Sequence, residues 1–301
     1  MRFKSLVRPI ELVVMLFSFH CSLHADDIVI YVRDDVYSHY VNFVDGREVT
    51  DISTFSGSTI RRDVVDMIIV QQALSLGGFN YGFSYVPGKI NFRNTNMLQQ
   101  GKLLLSFDSY WLADANSISE HVYISEPVIR KGEYFAGIYT SPKNEKTLNI
   151  KSLDDFRSLT AVSTPRWKTD WQTLSDLPLK ELIREDEWLS MARMVKLQWI
   201  DFLLMPFHSS EDQSFTLENI HLVPVKNVAV QLNDSRHFVV SKRHPLGESA
   251  IVAINQGLKQ LRAKKAIVQA YQEAGFFRDT SALHIINPPN FNELRYIVFS
   301  K

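Results

Sequence analysis

Short apolar segments of two kinds alternate along this chain, and the alternation restricts the fold more than any other feature. Residues 28–32, 81–86 and 103–107 are runs of aliphatic, β-branched and aromatic residues that predict strands. Between them, residues 61–76 repeat apolar positions at helical spacing, and residues 95–100 stop at a glycine, so both predict helices. Strands alternating with helices form mostly parallel sheets flanked by helices.

The rest of the chain continues this rhythm. In the middle of the chain, four further strands are predicted at residues 134–139, 160–163, 182–184 and 202–204. Three helices are predicted at residues 152–156, 165–174 and 187–197. Residues 220–231 are predicted to be extended and 236–241 to be a strand. A single long helix is predicted over 248–274, and residues 34–58 are predicted to be loop-rich. No secondary structure is predicted for the tail after Arg278.

The first 25 residues have the organisation of a secretory signal peptide. Arg2, Lys4 and Arg8 form a basic start, residues 12–19 are apolar, and Ala25 offers a small residue before a cleavage point. The apolar run is too short to cross a bilayer. We therefore expect a cleaved leader and a periplasmic protein. A buried N-terminal helix, or a lipid anchor on Cys21, are the alternatives.

Charge and residue usage exclude several functional classes. Removal of the leader takes 3 of 33 basic and 1 of 33 acidic residues, which leaves 30 and 32 and a net charge near −2. This balance argues against nucleic-acid binding. The single cysteine lies in the leader, and the histidines show no metal-binding spacing. No nucleophile elbow or phosphate-binding glycine loop is present, and no cofactor is expected.

Four segments in order resemble the family-3 extracellular solute-binding proteins, which serve amino-acid ABC transporters. The segment YISEPV at 123–128 is similar to that family's crossover between lobes, and IKSLDDF at 150–156 to its helix start. Residues 195–204, which include WID, and 238–275, which include FVVSK and HPL, are similar to its second-lobe strand and its return to the first lobe.

The resemblance implies a two-lobed α/β fold of the type 2 periplasmic-binding-protein class, each lobe a mixed, mostly parallel sheet flanked by helices. Residues 26–130 and 236–301 would form lobe one and 131–235 lobe two. The implied function is capture of a small polar solute between the lobes by a monomer, for delivery to the permease of an ABC importer.

Two departures from the family pattern concern the ligand. Just before the crossover, amino-acid-binding members carry an arginine for the ligand carboxylate. This chain has Ser119, Glu120 and His121 there. After Asp201, the family's second aspartate is replaced by Pro206 or a neighbour. The expected ligand is therefore some small polar solute, amino-acid-like or another small organic ion.

Candidate ligand contacts follow the predicted strands, because ligands of parallel α/β sheets bind beyond the strand ends. Ser163 ends a strand, Thr164 is a suitable helix cap before Pro165, and Arg166 could hold an anion at the helix start. A plain helix cap with a solvated arginine is the alternative explanation.

A second candidate group follows the apolar run at 103–107. Asp108 could hold an ammonium group beside Ser109, and Tyr110 or Trp111 could stack on a ligand. The alternative is a surface turn whose aromatic rings pack on the core. Tyr37, Trp167 and Asp201 are further candidates, for which core packing or a structural turn explains the residue type as well.

Two other functional classes remain open from the sequence. A soluble sensor would present its closed form to a membrane signalling partner instead of a permease. An enzyme on the same fold, such as a dehydratase, would need an acid or base in the cleft, and Asp108 or Glu126 has the required chemistry.

Overall fold

The computed structural model of the chain describes residues 27–57, 60–88, 93–207, 212–277 and 283–287. The predicted signal peptide lies outside these residues, as does the tail from Pro288 onwards. Within them the elements follow in the order β1 (Ile28–Arg33), α1 (Asp34–Val44), α2 (Arg62–Leu76), β2 (Phe83–Gly88), α3 (Arg93–Gln100), β3 (Tyr110–Trp111), α4 (Leu112–Asn116), β4 (Val122–Ile129), β5 (Phe135–Thr140), α5 (Glu145–Leu148), β6 (Thr160–Ser163), α6 (Lys168–Asp176), β7 (Glu181–Arg184), α7 (Trp188–Lys196), β8 (Leu203–Met205), β9 (Phe215–Leu217), β10 (Ile220–Gln231), β11 (Arg236–Ser241), α8 (Gly247–Ala263), α9 (Ala266–Glu273) and β12 (His284–Ile285).

The first lobe contains the parallel pair β1–β2 and the antiparallel sheet β3–β11–β4. Helix α2 is apolar on most of its surface, and its central turns are completely buried, as expected of a core helix. It packs against α8 at very short range. A Cβ on Gly257 would lie 2.0 Å from the carbonyl oxygen of Ala73, and one on Gly77 would lie 2.1 Å from that of Ala253. Glycine at both positions therefore permits this close helix contact.

The second lobe is built on the sheet β12–β10–β5–β8, to which β9 adds beside β10. The parallel pair β6–β7 joins it through a single bridge between Ala161 and Phe202. Phe156 and Phe202 are fully buried and meet edge to face with ring centroids 5.7 Å apart. These side chains fill the interior beneath the strands that lead to the cleft.

Two chain segments connect the lobes, one between β4 and β5 and the other between β10 and β11. The first is tied to α8, because Arg262 pairs with Glu133 at 2.7 Å and donates to the carbonyl oxygen of Val128 at 2.7 Å. The second ends at Arg236, where the chain enters the first lobe between β3 and β4. Both crossovers therefore meet beside the start of β11.

The structure differs from the predicted elements in several places. Residues 34–44 form α1 rather than a loop, because Val36, Tyr40 and Phe43 bury one helical face while acidic residues occupy its first turn. The long C-terminal helix is interrupted at Lys265, whose φ is 58°. Residues 103–107 are buried as predicted, but they make only an isolated bridge from Leu105 to Val240 rather than a strand.

The sheets are mixed, as predicted, but antiparallel pairs outnumber parallel ones among the named strands, in contrast to the predicted mostly parallel sheets. The described part of the tail also lies differently from the prediction that everything after residue 236 belongs to lobe one. Strand β12 pairs with β10 of the second lobe, and the side chain of Asn287 hydrogen-bonds the backbone of Gln231. Within the described ranges, no helix has both the length and the apolar character that crossing a membrane requires.

Candidate functional site

A cleft of about 450 Å³ lies between the two lobes and is lined from both sides. From the first lobe, its walls include Arg33, Asp108, Ser109, Tyr110, Trp111 and Arg236. From the second lobe, they include Thr164, Arg166, Trp167 and Asp186. Two segments predicted separately from the sequence, 108–111 and 164–167, therefore face the same space.

The first-lobe wall begins where the buried run 103–107 ends. Ser106 stabilises the turn, since its Oγ donates to the carbonyl oxygen of Asp108 at 3.0 Å. The Asp108 side chain is about half exposed to the cleft. Its Oδ1 accepts from Nη1 of Arg62 at 2.7 Å, and Nη2 of Arg236 is 3.7 Å away. Desolvation alone would raise the pKa of Asp108, but the guanidinium groups of Arg62 and Arg236 lower it below its usual value.

A buried carboxylate supports this wall from behind. Asp66 on α2 is fully buried and accepts hydrogen bonds from the backbone N–H of Ser109 at 3.0 Å and from its Oγ at 2.6 Å. Arg62 and the hydroxyl of Tyr271 also donate to Asp66. This buried carboxylate therefore has a partner for each oxygen, as a buried charge requires. The network fixes the backbone of the turn that carries Asp108.

Arg236 completes the first-lobe wall at the point where the second crossover ends. Its Nε donates to Oγ of Ser109 at 2.9 Å, and its Nη2 donates to the carbonyl oxygen of Ser109. The guanidinium carbon lies 4.7 Å from the ring centroid of Trp111, within the range of a cation–π contact. Trp111 in turn contacts Tyr134, with ring centroids 5.8 Å apart.

The second-lobe wall is a turn that follows β6. Oγ1 of Thr164 donates to Oδ1 of Asp186 at 2.6 Å and accepts from the backbone N–H of Arg166 at 3.3 Å. Hydrogen bonds from Arg184 and Thr164 lower the pKa of Asp186. The Arg166 side chain is 59% exposed, and its only ion pair among the described residues is with Asp186, at 3.8 Å. This wall is therefore held less tightly than the first.

The predicted helix start in this wall is wrong by three residues. Helix α6 begins at Lys168 with Trp167 as its N-cap, so Thr164 and Pro165 belong to the preceding turn. Trp167 donates its backbone N–H to the carbonyl oxygen of Thr164 at 3.0 Å, which closes that turn. Because Thr164 bonds to Asp186, its hydroxyl does not cap α6. The anion-binding helix terminus predicted at Arg166 is thus a hydrogen-bonded turn.

Three predicted contacts do not line the cleft. Ser163 is buried within β6. Tyr37 packs against Tyr85, with ring centroids 5.6 Å apart, in an aromatic group on the first lobe. Asp201 accepts from the backbone N–H of Thr160 at 2.8 Å and from the side chain of Asn144 at 3.1 Å. These hydrogen bonds match the structural alternative that the sequence had left open for Asp201.

Contacts between the lobes border the cleft. Lys168 on α6 pairs with Asp114 on α4 at 3.0 Å. Oδ2 of Asp234, in the second crossover, accepts from Oγ1 of Thr169 at 3.1 Å and from the backbone N–H of Ala113 at 3.3 Å. Burial raises the pKa of Asp170, on the first turn of α6, to about 6. Helices α4 and α6 are therefore joined across the interlobe space by polar contacts.

Sequence reasoning did not identify several charged residues that line the cleft. Arg33 pairs with Asp63 at 3.3 Å and Asp35 at 2.9 Å, and Arg236 is almost wholly buried. The sequence places Arg236 only at the start of the predicted strand 236–241. The available signal was its position directly after the second crossover, a place that meets the cleft in any two-lobed arrangement.

The chemistry of the cleft suits binding of a polar ligand. It offers cationic and anionic side chains on both walls, with aromatic rings from Tyr110, Trp111 and Trp167. Among the described residues, no group of three histidine, cysteine or acidic side chains is placed to hold a metal ion. The walls therefore provide charge-assisted hydrogen bonds and ring surfaces, the groups that fix the orientation of small polar molecules.

Comparison with known proteins shows similarity in structure alone. No family model matches the chain, and no curated protein matches its sequence. The structure is similar to the periplasmic VFT2 domain of BvgS from Bordetella pertussis, at 14% identity and a TM-score of 0.51, over 71% of this chain and 83% of that one.

Two binding proteins give comparable similarity. Substrate binding domain 2 of GlnP from Lactococcus lactis, in an open conformation, matches at 14% identity and a TM-score of 0.50, over 85% of this chain and 97% of that one. The probable amino-acid ABC transporter extracellular-binding protein ytmK from Bacillus subtilis matches at 12% identity and 0.51, over 69% and 86%. The sequence resemblance to amino-acid solute-binding proteins is thus confirmed at the level of the fold: the chain has the two-lobed α/β fold of periplasmic solute-binding domains.

Proposed function

We propose that this protein reversibly binds a small polar solute in the cleft between its lobes. The observation that carries the proposal is the convergence of charged and aromatic side chains from both lobes on one cleft of about 450 Å³. A ligand that contacts both walls stabilises the closed form by its differential affinity for that form. Capture by lobe closure requires this arrangement.

Each wall has a distinct role in this proposal. Oδ2 of Asp108 makes no hydrogen bond to a described residue and is available to an N–H group of the ligand. Arg166, exposed on the opposite wall, would donate hydrogen bonds to an oxygen of the ligand as the lobes close. Tyr110, Trp111 and Trp167 would enclose the rest of the solute. Ser109 and Thr164 hold the two turns in place.

The proposed lobes are residues 26–130 with the chain from 236 onwards, and 131–235, with the described residues 283–287 added to the second lobe because β12 pairs with β10. The leader-like first 25 residues support export to the periplasm. Delivery to the permease of an ABC importer is proposed from the four resembling segments, and the Bacillus subtilis protein is named for amino-acid ABC transport. The mature protein would act as a non-catalytic monomer.

A thermal-shift screen of the exported protein tests the proposal. Amino acids, small organic acids, amines and sugars are added singly, and a compound that binds the native state raises the melting temperature by mass action. Hits are measured by calorimetry, and their chemical integrity is checked after incubation. A saturating hit should also reduce the radius of gyration in solution scattering.

The outcomes separate the functional classes. Binding with closure and an unchanged compound supports a solute-binding protein. Chemical conversion of the compound would show that the protein is an enzyme and that the proposed binding function is wrong. Absence of any shift across the panel, or binding with no change in compactness, would contradict capture by lobe closure. Co-purification with a membrane permease or with a membrane signalling protein would then distinguish import from sensing.

A further inference from the structure

We propose that Arg236 is the anchor for a carboxylate or similar planar oxyanion of the ligand, presented by the second crossover. This inference rests on the proposed function and names the chemistry of one end of the solute. Its position, its unused donors and its support each point to this role.

The unused donors belong to Nη1. Nε and Nη2 of Arg236 are occupied by Oγ and the carbonyl oxygen of Ser109, and Nη2 also lies 3.7 Å from Oδ1 of Asp108. Nη1 makes no hydrogen bond to any residue that the structure describes, although Arg236 lines the cleft. A guanidinium group that is held on one side, with two N–H donors left on the other, is preorganised to donate hydrogen bonds to an anion.

The charges around Arg236 favour an anionic partner. Asp108 is its nearest carboxylate, and that carboxylate is shared with Arg62 at 2.7 Å. Asp66 is similarly shared between Arg62, Ser109 and Tyr271. Burial and the positive charge of Arg62 lower the pKa of Arg236, whereas Asp108 and Asp66 raise it by less. A buried guanidinium that its own neighbours compensate incompletely gains free energy from a ligand anion.

The position of Arg236 links this contact to the hinge. Its backbone pairs with Trp111 of β3 and Ile129 of β4, immediately after the crossover that carries Asp234. Side-chain rotation is limited by Trp111 on its face and Ser109 on its edge. Little conformational entropy is therefore lost when the anion binds, which favours affinity.

The other arginines of the cleft and of the network behind its first wall are arranged differently. Arg33 is engaged by Asp35 and Asp63, and Arg62 by Asp66 and Asp108. Arg166 is exposed, and its ion pair with Asp186 is long, at 3.8 Å. Of these four arginines, Arg236 alone combines burial, fixed geometry and a free pair of donors. It is the residue best suited to select a ligand with a planar anionic group.

The test uses matched pairs of probes, namely amino acids and monocarboxylic acids together with their primary amides. Dissociation constants are measured by calorimetry for the wild-type full chain and for Arg236→Gln, Arg236→Lys and Arg157→Gln. Arg157 pairs with Asp154 on the surface of the second lobe, so its variant is a charge-matched control outside the cleft. Circular dichroism establishes that each variant is folded, and Arg236→Lys keeps the charge if Arg236→Gln does not fold.

The expected result is that at least one free acid binds the wild type and its amide binds at least tenfold more weakly. Arg236→Gln should weaken the acid at least tenfold, Arg236→Lys should weaken it by less, and Arg157→Gln should not change it. An acid that binds equally well as its amide, or equally well to folded Arg236 variants, would overturn the anchor while the proposed function stands. Binding of amines or sugars but of no acid would do the same. Absence of binding by every compound, including those of the wider screen, would overturn the proposed function and the anchor together.

Discussion

The two walls of the cleft are built in opposite ways. The first-lobe wall rests on a buried ionic network in which Asp66 is fully buried and Arg236 is 9% exposed. The second-lobe wall is an exposed turn, in which Arg166 is 59% exposed and its pair with Asp186 is 3.8 Å long. A wall fixed by buried hydrogen bonds is preorganised, whereas an exposed turn adjusts at small cost. In the proposed binding mode, a ligand would therefore dock first on the first lobe, and the second lobe would then adapt to it.

The largest expected effect is on the network behind the first wall. Asp66→Asn leaves Arg62 with only one carboxylate partner and weakens the support of Ser109. Breaking a buried ion pair of this kind should lower the free energy of unfolding by about 3 kcal/mol, measured by urea denaturation at pH 7. Asp186→Asn, the matched change on the second wall, should cause a much smaller loss. Equal losses from both variants would remove the contrast between the walls.

The second expected effect concerns Asp170 and pH. Burial raises its pKa in the folded protein to about 6, above the ordinary value of 3.8. Between these values the folded state binds more protons than the unfolded state, so this group lowers stability as pH rises from about 4 to 6. Asp170→Asn should therefore raise the free energy of unfolding by about 3 kcal/mol at pH 7.5, and by only about 0.5 kcal/mol near pH 4.

Urea denaturation at pH 4, 6 and 7.5 measures this difference, with Asp154→Asn on the protein surface as the control. The control should show no such dependence. A gain from Asp170→Asn that is constant with pH would mean that the carboxyl group itself is not the cause. A gain that grows with pH would show that the buried Asp170 carboxylate destabilises the second-lobe side of the cleft, because α6 belongs to the second lobe.

The third expected effect is on ligand affinity through the second wall. Arg166→Ala removes the exposed cation that faces the first wall and should weaken binding of the best compound from the screen at least tenfold, or about 1.4 kcal/mol. Calorimetry measures the dissociation constant, with Arg193→Ala in α7 as a control whose guanidinium pairs with Glu218. An unchanged dissociation constant would rule out a ligand contact for Arg166.

The smallest expected effect is on the balance between open and closed forms without ligand. Thr169→Val keeps the shape of the side chain but removes its hydrogen bond to Asp234, one of the contacts between α4, α6 and the crossover. A single partly buried hydrogen bond contributes on the order of 1 kcal/mol. The radius of gyration of the ligand-free protein should rise slightly, while Thr216→Val on β9 should leave it unchanged. No change from Thr169→Val would mean that this hydrogen bond does not help to hold the lobes together.

Local sequence patterns predicted much of the fold correctly. Helix α2 follows from its apolar spacing and the glycines after it, and the strands β1, β6 and β11 follow from short β-branched runs. Helix α1 was missed because its buried face consists of only three residues within a polar, aromatic segment. The break at Lys265 could not be predicted, because the apolar repeat continues through it and only packing reveals the left-handed residue.

In the candidate site too, the parts that depend on local sequence were predictable and the parts that depend on distant contacts were not. Segments 108–111 and 164–167 were identifiable because they follow predicted strands, and the structure places both on the cleft. Arg236 was not identified, because its partners Ser109 and Trp111 are more than 120 residues away in the chain. A family arginine expected near residues 117–121 is missing, while a cation from a different element occupies the cleft wall.

Local patterns in the sequence were enough to predict the alternation of strands and helices, the leader-like N-terminus and the two turns that carry candidate ligand contacts. These features depend on residues close together in the chain, where spacing and propensity act directly. Which side chains share the cleft, and which of them are already hydrogen-bonded or paired, follows from the folded arrangement alone. The hydrogen bond of Ser109 to Asp66 and the cation–π contact of Arg236 with Trp111 join distant segments. Their free energy arises from burial and geometry that exist only once both lobes are folded.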